Sequence, residues 1–479
     1  MGGVSSQSNW LRFVLAVALL TLIAAARLPF ITNVLAGEEG EFAALVLNDP
    51  ATSTLDPDHL PREVAGSIAG KLILSSFHRT VMPYIILERV GRLFSPRHAL
   101  GRLPPGQLTV AARLPFAIVF LLGSAGLIAL AIWAATSRSK YGSGALAIAP
   151  LGVALWSLTT PLAVGASIQP QLDGSAGVLL LGTATTLLVV SNVEHRSGRW
   201  LFFAAGVLAG LGKHEWALAF ATAALGAGII TLWLTPARRA AGWMFGAFAA
   251  GLAVAVAFSY AISPDDYWQG IAVMENFYAE TGGHLWALEQ PQWPLTLPVL
   301  ALILTDGAFL IIVLRPALRH SPGLLLAYLG ATGIAVGYAI SGWQGDGFPR
   351  YFAPPLVMLP IVFLALWQRF KDRIAPAIGW SVVAASVFGL GTNAAFLVGS
   401  YNNKVSVAEF RGTSLAKSEQ DIAAADELAR KTQGVVITQT TTWIYHQNIN
   451  FIWATKSWAE NYIATHFPAF KDRLVEPPA

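Results

Sequence analysis

The densest group of ionisable residues in the chain is Gly37-Glu38-Glu39-Gly40-Glu41-Phe42-Ala43. Three carboxylates in four positions open a helical pattern in which Glu38 and Glu41 share a face at i,i+3 and Glu39 points elsewhere. Acids in a first helical turn are favoured by the helix dipole whatever their role. These follow directly on a long apolar run, however, and an ionisable group at a membrane edge is costly enough to be a functional candidate. The chemistry open to them is general-base catalysis, a carboxylate taking the proton of an attacking hydroxyl or amine. Three basic clusters complement them: His78-Arg79 ahead of Pro83-Tyr84, Lys213-His214-Glu215, and Arg350-Tyr351 after Gly347-Phe348-Pro349. Taken singly, Lys213 and Arg350 read as snorkelling anchors. Gathered with the acids around one cavity, the clusters describe a site for an anionic headgroup. Arginine offers phosphate oxygens paired charge-assisted hydrogen bonds, and lysine offers a point charge.

Other signals are weaker. Asp56-Pro57-Asp58 has the two-acid spacing of metal-assisted sugar transfer, but Asp-Pro turns are ordinary loop chemistry, and a divalent metal is not favoured. Asp306, inside an apolar segment, is either a buried pair partner or the mark of an internal polar path. The chain has no Gly-x-Gly-x-x-Gly, Walker loop or His-Glu-x-x-His, so neither a bound nucleotide nor a zincin site has support. With no cysteine, disulfides, zinc thiolates and cysteine nucleophiles are excluded.

The elements that must position these residues follow from composition. Charged residues are 12% of the 479 and apolar residues 54%, with a mean hydropathy of +0.55. A soluble protein carries about 25% charge, so the pattern fits only an integral membrane protein. Near-continuous apolar stretches predict about eleven spans. They lie near 11–30, 112–135, 144–164, 175–191, 200–213, 216–234, 243–262, 294–314, 322–340, 351–367 and 375–399.

The connections between them fall into two chemical classes. One holds Arg138 and Lys140, Arg196 and Arg199, Arg238 and Arg239, Arg315 and Arg319, and Arg369, Lys371 and Arg373. The alternate ones hold Asp173, then Asp265, Asp266, Glu275, Glu280 and Glu289, then Asp346. The positive-inside rule makes the basic class cytoplasmic, with the amino terminus inside and the carboxyl terminus outside. This also accounts for the net charge of +4 without nucleic acid as a partner. The alternation requires a break at Gly212-Lys213-His214-Glu215, because one helix over 200–234 would reverse every later loop. Arg12, an apolar run and Ala24-Ala25-Ala26 imitate a cleavable signal. An uncleaved first span is preferred, since residues 37–47 need an anchored helix before them.

A membrane domain is therefore expected over residues 1–399. Its first outer loop, 31–111, carries amphipathic interfacial helices at Val64–Ser75 and Thr80–Phe94, with Glu88 and Arg92 paired at i,i+4. A second outer loop, 263–293, contains Trp268, Phe277, Tyr278, Trp286 and Trp293, suited to the headgroup level or to the mouth of a lipid site. Residues 400–479 form a small outer α/β extension. Within it the pattern predicts a helix over Ser418–Lys431, strands at Val435–Ile437 and Asn450–Ala454, and a helix over Trp458–Phe467.

The order of these short motifs resembles the membrane glycosyltransferases of the GT-C superfamily, in the branch of protein O-mannosyltransferases and lipid A aminoarabinose transferases. Glu38-Glu39-Gly40-Glu41-Phe42-Ala43 is similar to that branch's first-loop acidic pair and following Asp-Glu-x-x-Tyr-Ala helix, with Glu for Asp and Phe for Tyr. His78 to Tyr84 resembles a basic residue before Pro-Pro-Leu-Tyr, with one proline missing. Ala112-Arg113-Leu114-Pro115, Gly206 to Lys213, and Arg350-Tyr351-x-x-Pro354 resemble three further motifs. The resemblance covers the first four hundred residues and implies a GT-C-like fold in a bacterial inner membrane, with the active site on the periplasmic face. It implies an inverting transferase using a polyprenyl-phosphate sugar, an extracytoplasmic glycan, lipid or protein as acceptor, and no cofactor. Glu38 or Glu39 would be the base. Glu41, His78, Arg79, Tyr84, Lys213, His214, Glu215, Arg350 and Tyr351 would contact substrate. The departures at the acidic pair leave donor sugar and acceptor open. A lipid or sugar transporter is the alternative reading of so many spans and edge charges, but it gives no reason for a long structured first loop.

Overall fold

The computed structural model describes residues 3–33, helical positions 83, 86, 89, 90 and 93, then 105–137, 144–169, 173–235, 238–262, 293–340 and 349–407, with short pieces between 414 and 475. The chain is a polytopic α-helical membrane protein. A helix or bent helix pair stands at each of the expected spans. The first is α1 (Gly3–Ala25), continued by the short α2 (Leu28–Ile31), and the second is α3 (Pro105–Gly123) with α4 (Ala125–Thr136). Next come α5 (Gly144–Thr159) with α6 (Pro161–Ile168), then α7 (Val178–Val190) behind a π-helical turn at Asp173–Gly177. After α8 (Ser197–Gly210), α9 (His214–Leu234) and α10 (Arg238–Ile262) follow α11 (Trp293–His320), α12 (Gly323–Ile340), α13 (Ala353–Phe370) and α14 (Pro376–Asn402). Among the described residues, four single helices are long and apolar enough to cross a membrane, namely α9, α10, α14 and α13 with its 3-10 extension. The pairs α3–α4 and α5–α6, bent by 42° and 54°, meet the same criteria together. The helical positions between Pro83 and Leu93 fit the helix expected over 80–94.

The sequence explains both bends. At the first, Ser124 returns its hydroxyl to Phe120 O at 2.9 Å, a local bond that competes with the helical ladder. At the second, Thr160 leaves the helical conformation, caps Ala163 N at 3.1 Å and is followed by Pro161, which has no amide hydrogen to continue α5. The break between α8 and α9 falls at 211–213, where the alternation of charge requires it.

At the centre, α13 is buried along almost its whole length and packs against α4, α7, α11 and α12. Outward faces are apolar, as at Trp233, Ile312 and Phe388. Polar bonds tie together the end that carries the basic connections. Arg369 Nη2 donates to Val189 O at 2.7 Å, Ser321 Oγ to Ser191 O at 2.9 Å, and Gln368 Nε2 to Ser137 Oγ at 2.9 Å. At mid-depth α8 and α10 cross in near backbone contact. A Cβ on Gly206 would collide with Phe248 O, and one on Gly251 with Phe203 O, so both helices need glycine at the crossing.

Beyond α14, three short strands form a parallel sheet in the order β2-β1-β3: β1 Val435–Thr438, β2 Phe451–Trp453 and β3 Leu474–Val475. Two lie where the apolar runs predict them. The third, only two residues long, has no periodicity to read. Parallel pairing needs long crossovers, which residues 439–450 and 454–473 are long enough to supply. The helix expected over Trp458–Phe467 lies outside the described residues, as does the one over Val64–Ser75.

Filling the α8–α10 crossing should destabilise the bundle. Gly206→Leu is expected to lose about 1–3 kcal/mol and melt several degrees below wild type in detergent. Gly391→Leu, on the open face of α14 where an added Cβ meets nothing within 4 Å, should melt with wild type. Equal melting of the two variants would contradict the crossing.

Candidate functional site

At the end of the bundle opposite the basic connections, α8 stops at Gly210 and the chain turns through Leu211 and Gly212. Lys213 then caps α9 in an extended conformation (φ −83°, ψ 154°). That conformation turns the side chain into the protein, where the residue is only 1% exposed. Its Nζ lies 4.2 Å from the ring centre of Tyr351, 5.6 Å from Trp216 and 5.8 Å from Tyr338. A lysine ammonium held against desolvated aromatic faces gains about 2 kcal/mol per favourable contact, which offsets part of the cost of leaving water.

The rings come from three separate elements and fix one another. Tyr338, near the end of α12, stacks on Tyr351 of the 3-10 turn Pro349–Phe352, with ring centres 4.6 Å apart and planes within 13°. Trp216, in the first turn of α9, donates its Nε1 hydrogen to Tyr338 Oη at 2.9 Å. The indole passes between two glycines: a Cβ on Gly177 or on Gly212 would strike its six-membered ring. His214 and Glu215 occupy the same first turn, both partly buried, and the acid there suits the helix dipole.

Two buried arginines hold another stretch of chain at this end. Arg27, between α1 and α2, donates Nε to Ser167 Oγ at 2.7 Å, Nη1 to Ile23 O at 2.6 Å and Nη2 to Leu158 O at 3.0 Å. Its guanidinium also lies over Phe120 at 5.1 Å. Arg113 of α3, 1% exposed, donates Nη1 to Phe30 O and to Asn33 O, each at 2.7 Å. Together they fix α2 and the residues that lead to the acidic cluster.

Of the residues expected to contact substrate, Lys213 and Tyr351 are brought into contact, with His214 and Glu215 beside them. Arg350 lies in the 3-10 turn next to Tyr351. Glu38, Glu39, Glu41, His78, Arg79 and Tyr84 lie outside the described residues, as do Asp56 and Asp58. Sequence reasoning missed Trp216 and Tyr338. Trp216 carried a usable signal, standing at i+3 from Lys213, whereas nothing local marks Tyr338. Asp306 is elsewhere, fully buried in the middle of α11, and among the described residues neither carboxylate oxygen has a hydrogen-bond partner. Tyr328, whose hydroxyl donates to Ile303 O at 3.1 Å beside Gly307, stands about 15 Å along α12 from Tyr338.

No protein-family model and no curated protein sequence matches the chain. Solved structures do. ArnT from Cupriavidus metallidurans in the apo state is 16% identical, with a TM-score of 0.52 over 98% of this chain and 90% of that one. The same enzyme bound to undecaprenyl phosphate gives 16% identity and a TM-score of 0.54 over the same shares. The chain shares the fold of that enzyme. In this fold the Lys213 cluster joins the helix break, the last turn of α12 and the approach to α13, so that distant stretches of sequence converge on one end of the bundle.

The geometry predicts that Lys213 reacts slowly with an amine-acylating reagent. Peptide mass spectrometry should find Lys213 labelled far more slowly than the exposed Lys404. Gly212→Val, which displaces the indole, should speed labelling of Lys213 and leave Lys404 unchanged. Equal labelling of Lys213 and Lys404 in wild type would contradict the burial.

Proposed function

We propose that the protein is an inverting glycosyltransferase that moves a sugar from a polyprenyl-phosphate donor to an extracytoplasmic acceptor. The observation that carries this reading is the buried, ring-bounded Lys213 at one end of a GT-C bundle. The solved ArnT complex, which contains undecaprenyl phosphate, supports a lipid phosphate as the ligand of such a bundle. The predominance of acidic connections at this end supports its placement on the periplasmic face of a bacterial inner membrane.

In the proposed reaction the carboxylate of Glu38, with Glu39 as the alternative, accepts the proton of the acceptor hydroxyl or amine. The freed lone pair forms a bond to the anomeric carbon. The bond from that carbon to the phosphate oxygen breaks, and its electron pair leaves with the phosphate. Attack opposite the leaving group inverts the anomeric centre. The departing phosphate is a stable anion that needs charge stabilisation more than a proton. Lys213, Arg350, His78 and Arg79 supply positive charge where it develops, in a site screened from water. Tyr351, Tyr338 and Trp216 keep the Lys213 ammonium directed and poorly hydrated, which strengthens its hold on phosphate. Glu41, Tyr84, His214 and Glu215 complete the contacts, and no cofactor is used.

Incubating the protein in nanodiscs with radiolabelled polyprenyl-phosphate sugars and an envelope extract should give covalent transfer of label. Vectorial movement of intact donor in proteoliposomes, or retention without transfer, would overturn the enzyme reading. Glu38→Gln should lower turnover by about 10²–10⁴-fold with donor affinity kept. Lys213→Met, which keeps the packing but not the charge, should weaken donor binding by roughly 10–100-fold. Wild-type turnover in Glu38→Gln removes that residue from the mechanism, and unchanged affinity in Lys213→Met removes the lysine.

A further inference from the structure

Among the described residues, Asp306 is the only fully buried acid, and the proposed reaction has no use for it. It stands midway along α11, about 20 Å from either end of that helix. Leu302, Leu310 and Val313 share its buried face, while Leu304, Ile311 and Ile312 turn outward. α11 packs mainly on α13 and α12. From Leu356 to Leu366, α13 offers only apolar side chains. α12 offers two hydroxyls one helical turn apart, on Tyr328 and Thr332.

Tyr328 reaches α11 beside the carboxyl. Its hydroxyl donates to Ile303 O at 3.1 Å and lies so close to Gly307 that a Cβ there would strike the phenolic oxygen. Ile303 and Gly307 bracket Asp306, near enough for a charge on the acid to act on the phenol. Thr332 Oγ1 is buried and, like both carboxyl oxygens, makes no hydrogen bond among the described residues. The other charged groups on the neighbouring elements are remote. His214 and Glu215 stand in the first turn of α9 and Arg350 in the 3-10 turn, all at the outer end. Arg369 of α13 bonds Val189 O at the inner end. On α11 itself, Arg315, Arg319 and His320 begin about 13 Å farther along.

An ionised carboxylate in that place would have neither water nor a counter-charge, a state so costly that the group takes up a proton instead. Neutral, it leaves the Tyr328 bond to Ile303 O undisturbed. Ionised, it would draw the hydroxyl hydrogens of Tyr328 and Thr332 to itself, because charge-assisted bonds outcompete a neutral one. α12 would then be held along a different line. The last turn of the same helix carries Tyr338 of the lysine site, about 15 Å away.

We propose that Asp306 is a proton-binding site inside the bilayer, and that its proton keeps α12 where Tyr338 packs against Tyr351 and Lys213. At high pH the proton passes to bulk water, the Tyr328 bond to α11 is lost and the lysine site loosens. The link to ligand affinity rests on the donor reading above, whereas the proton site does not.

Infrared spectra of the protein in nanodiscs, with carbon-13 in the aspartate side-chain carboxyls, test the proton site. At neutral pH, wild type should show the carbonyl stretch of a protonated carboxyl that Asp306→Asn lacks. Asp306→Asn, a neutral isostere, should also melt with wild type. Identical spectra, or a collapse of the variant as when one partner of a buried ion pair is removed, would overturn the site. Undecaprenyl phosphate binding over the alkaline range tests the link to the lysine. As the band disappears, wild-type affinity should fall about tenfold beyond any fall seen in Asp306→Asn, which cannot ionise and so controls for titration of Lys213. Parallel loss in the two proteins, or a band that survives as far as the protein stays folded, would overturn the link and leave the proton site. Absence of undecaprenyl phosphate binding by wild type at every pH would remove the donor reading and the link with it, and the infrared result would still decide the proton site.

Discussion

A lysine ammonium withdrawn from water and seated against aromatic faces is the constraint that organises one whole end of the molecule. Such a charge is costly in an apolar setting, and the cost falls only if the surrounding groups are fixed in place beforehand. The ring faces can be where they are because neighbouring backbone gives them room. Gly212 and Gly177 clear the indole of Trp216, which in turn holds the Tyr338 hydroxyl, and Tyr338 stacks on Tyr351. The helix break at 211–213 is part of the same construction, since only an extended residue at position 213 can send its side chain inward. The Gly206-to-Lys213 motif thus combines two physical demands: Gly206 and Gly210 let α8 approach α10, and Gly212 admits the ring that orients the lysine.

The same end is tied down a second time by Arg27 and Arg113. Both guanidiniums donate to main-chain carbonyls at or just beyond helix ends, at Phe30, Asn33, Leu158 and Ile23. Charge-assisted bonds of this length are strong in a poorly solvated setting. These bonds fix the point at which the described chain leaves the bundle after Asn33. Precise placement of reacting groups matters because small displacements from a productive geometry are expensive in rate.

Much of this was legible from sequence, for identifiable reasons. Apolar runs locate every helix of the bundle, because the membrane leaves few alternatives for a segment of that composition. The distribution of Arg and Lys among the short connections led to the break before His214, where the hydropathy of 200–234 taken alone would have allowed one helix. The runs at Val435 and Phe451 mark two strands. The angles at Ser124 and Thr160 were not foreseen, since a serine or threonine in an apolar run signals a bend only after its hydroxyl is seen to bond the backbone. Arg113 was noticed as part of a motif, but its role is to grip Phe30 and Asn33, some eighty positions away, which no local pattern encodes. Tyr338 belongs to the site through tertiary contacts alone, with Tyr351, Trp216 and Lys213, so its part also required three dimensions.

The central claim, that the ring-bounded lysine receives the phosphate of a lipid, is tested most directly by an experimental structure of the protein in lipid with undecaprenyl phosphate bound. The account predicts phosphate density within hydrogen-bonding distance of Lys213 Nζ, with Trp216, Tyr338 and Tyr351 retaining their mutual contacts. Phosphate bound elsewhere, with the Lys213 ammonium still buried against the Tyr351 ring, would contradict it.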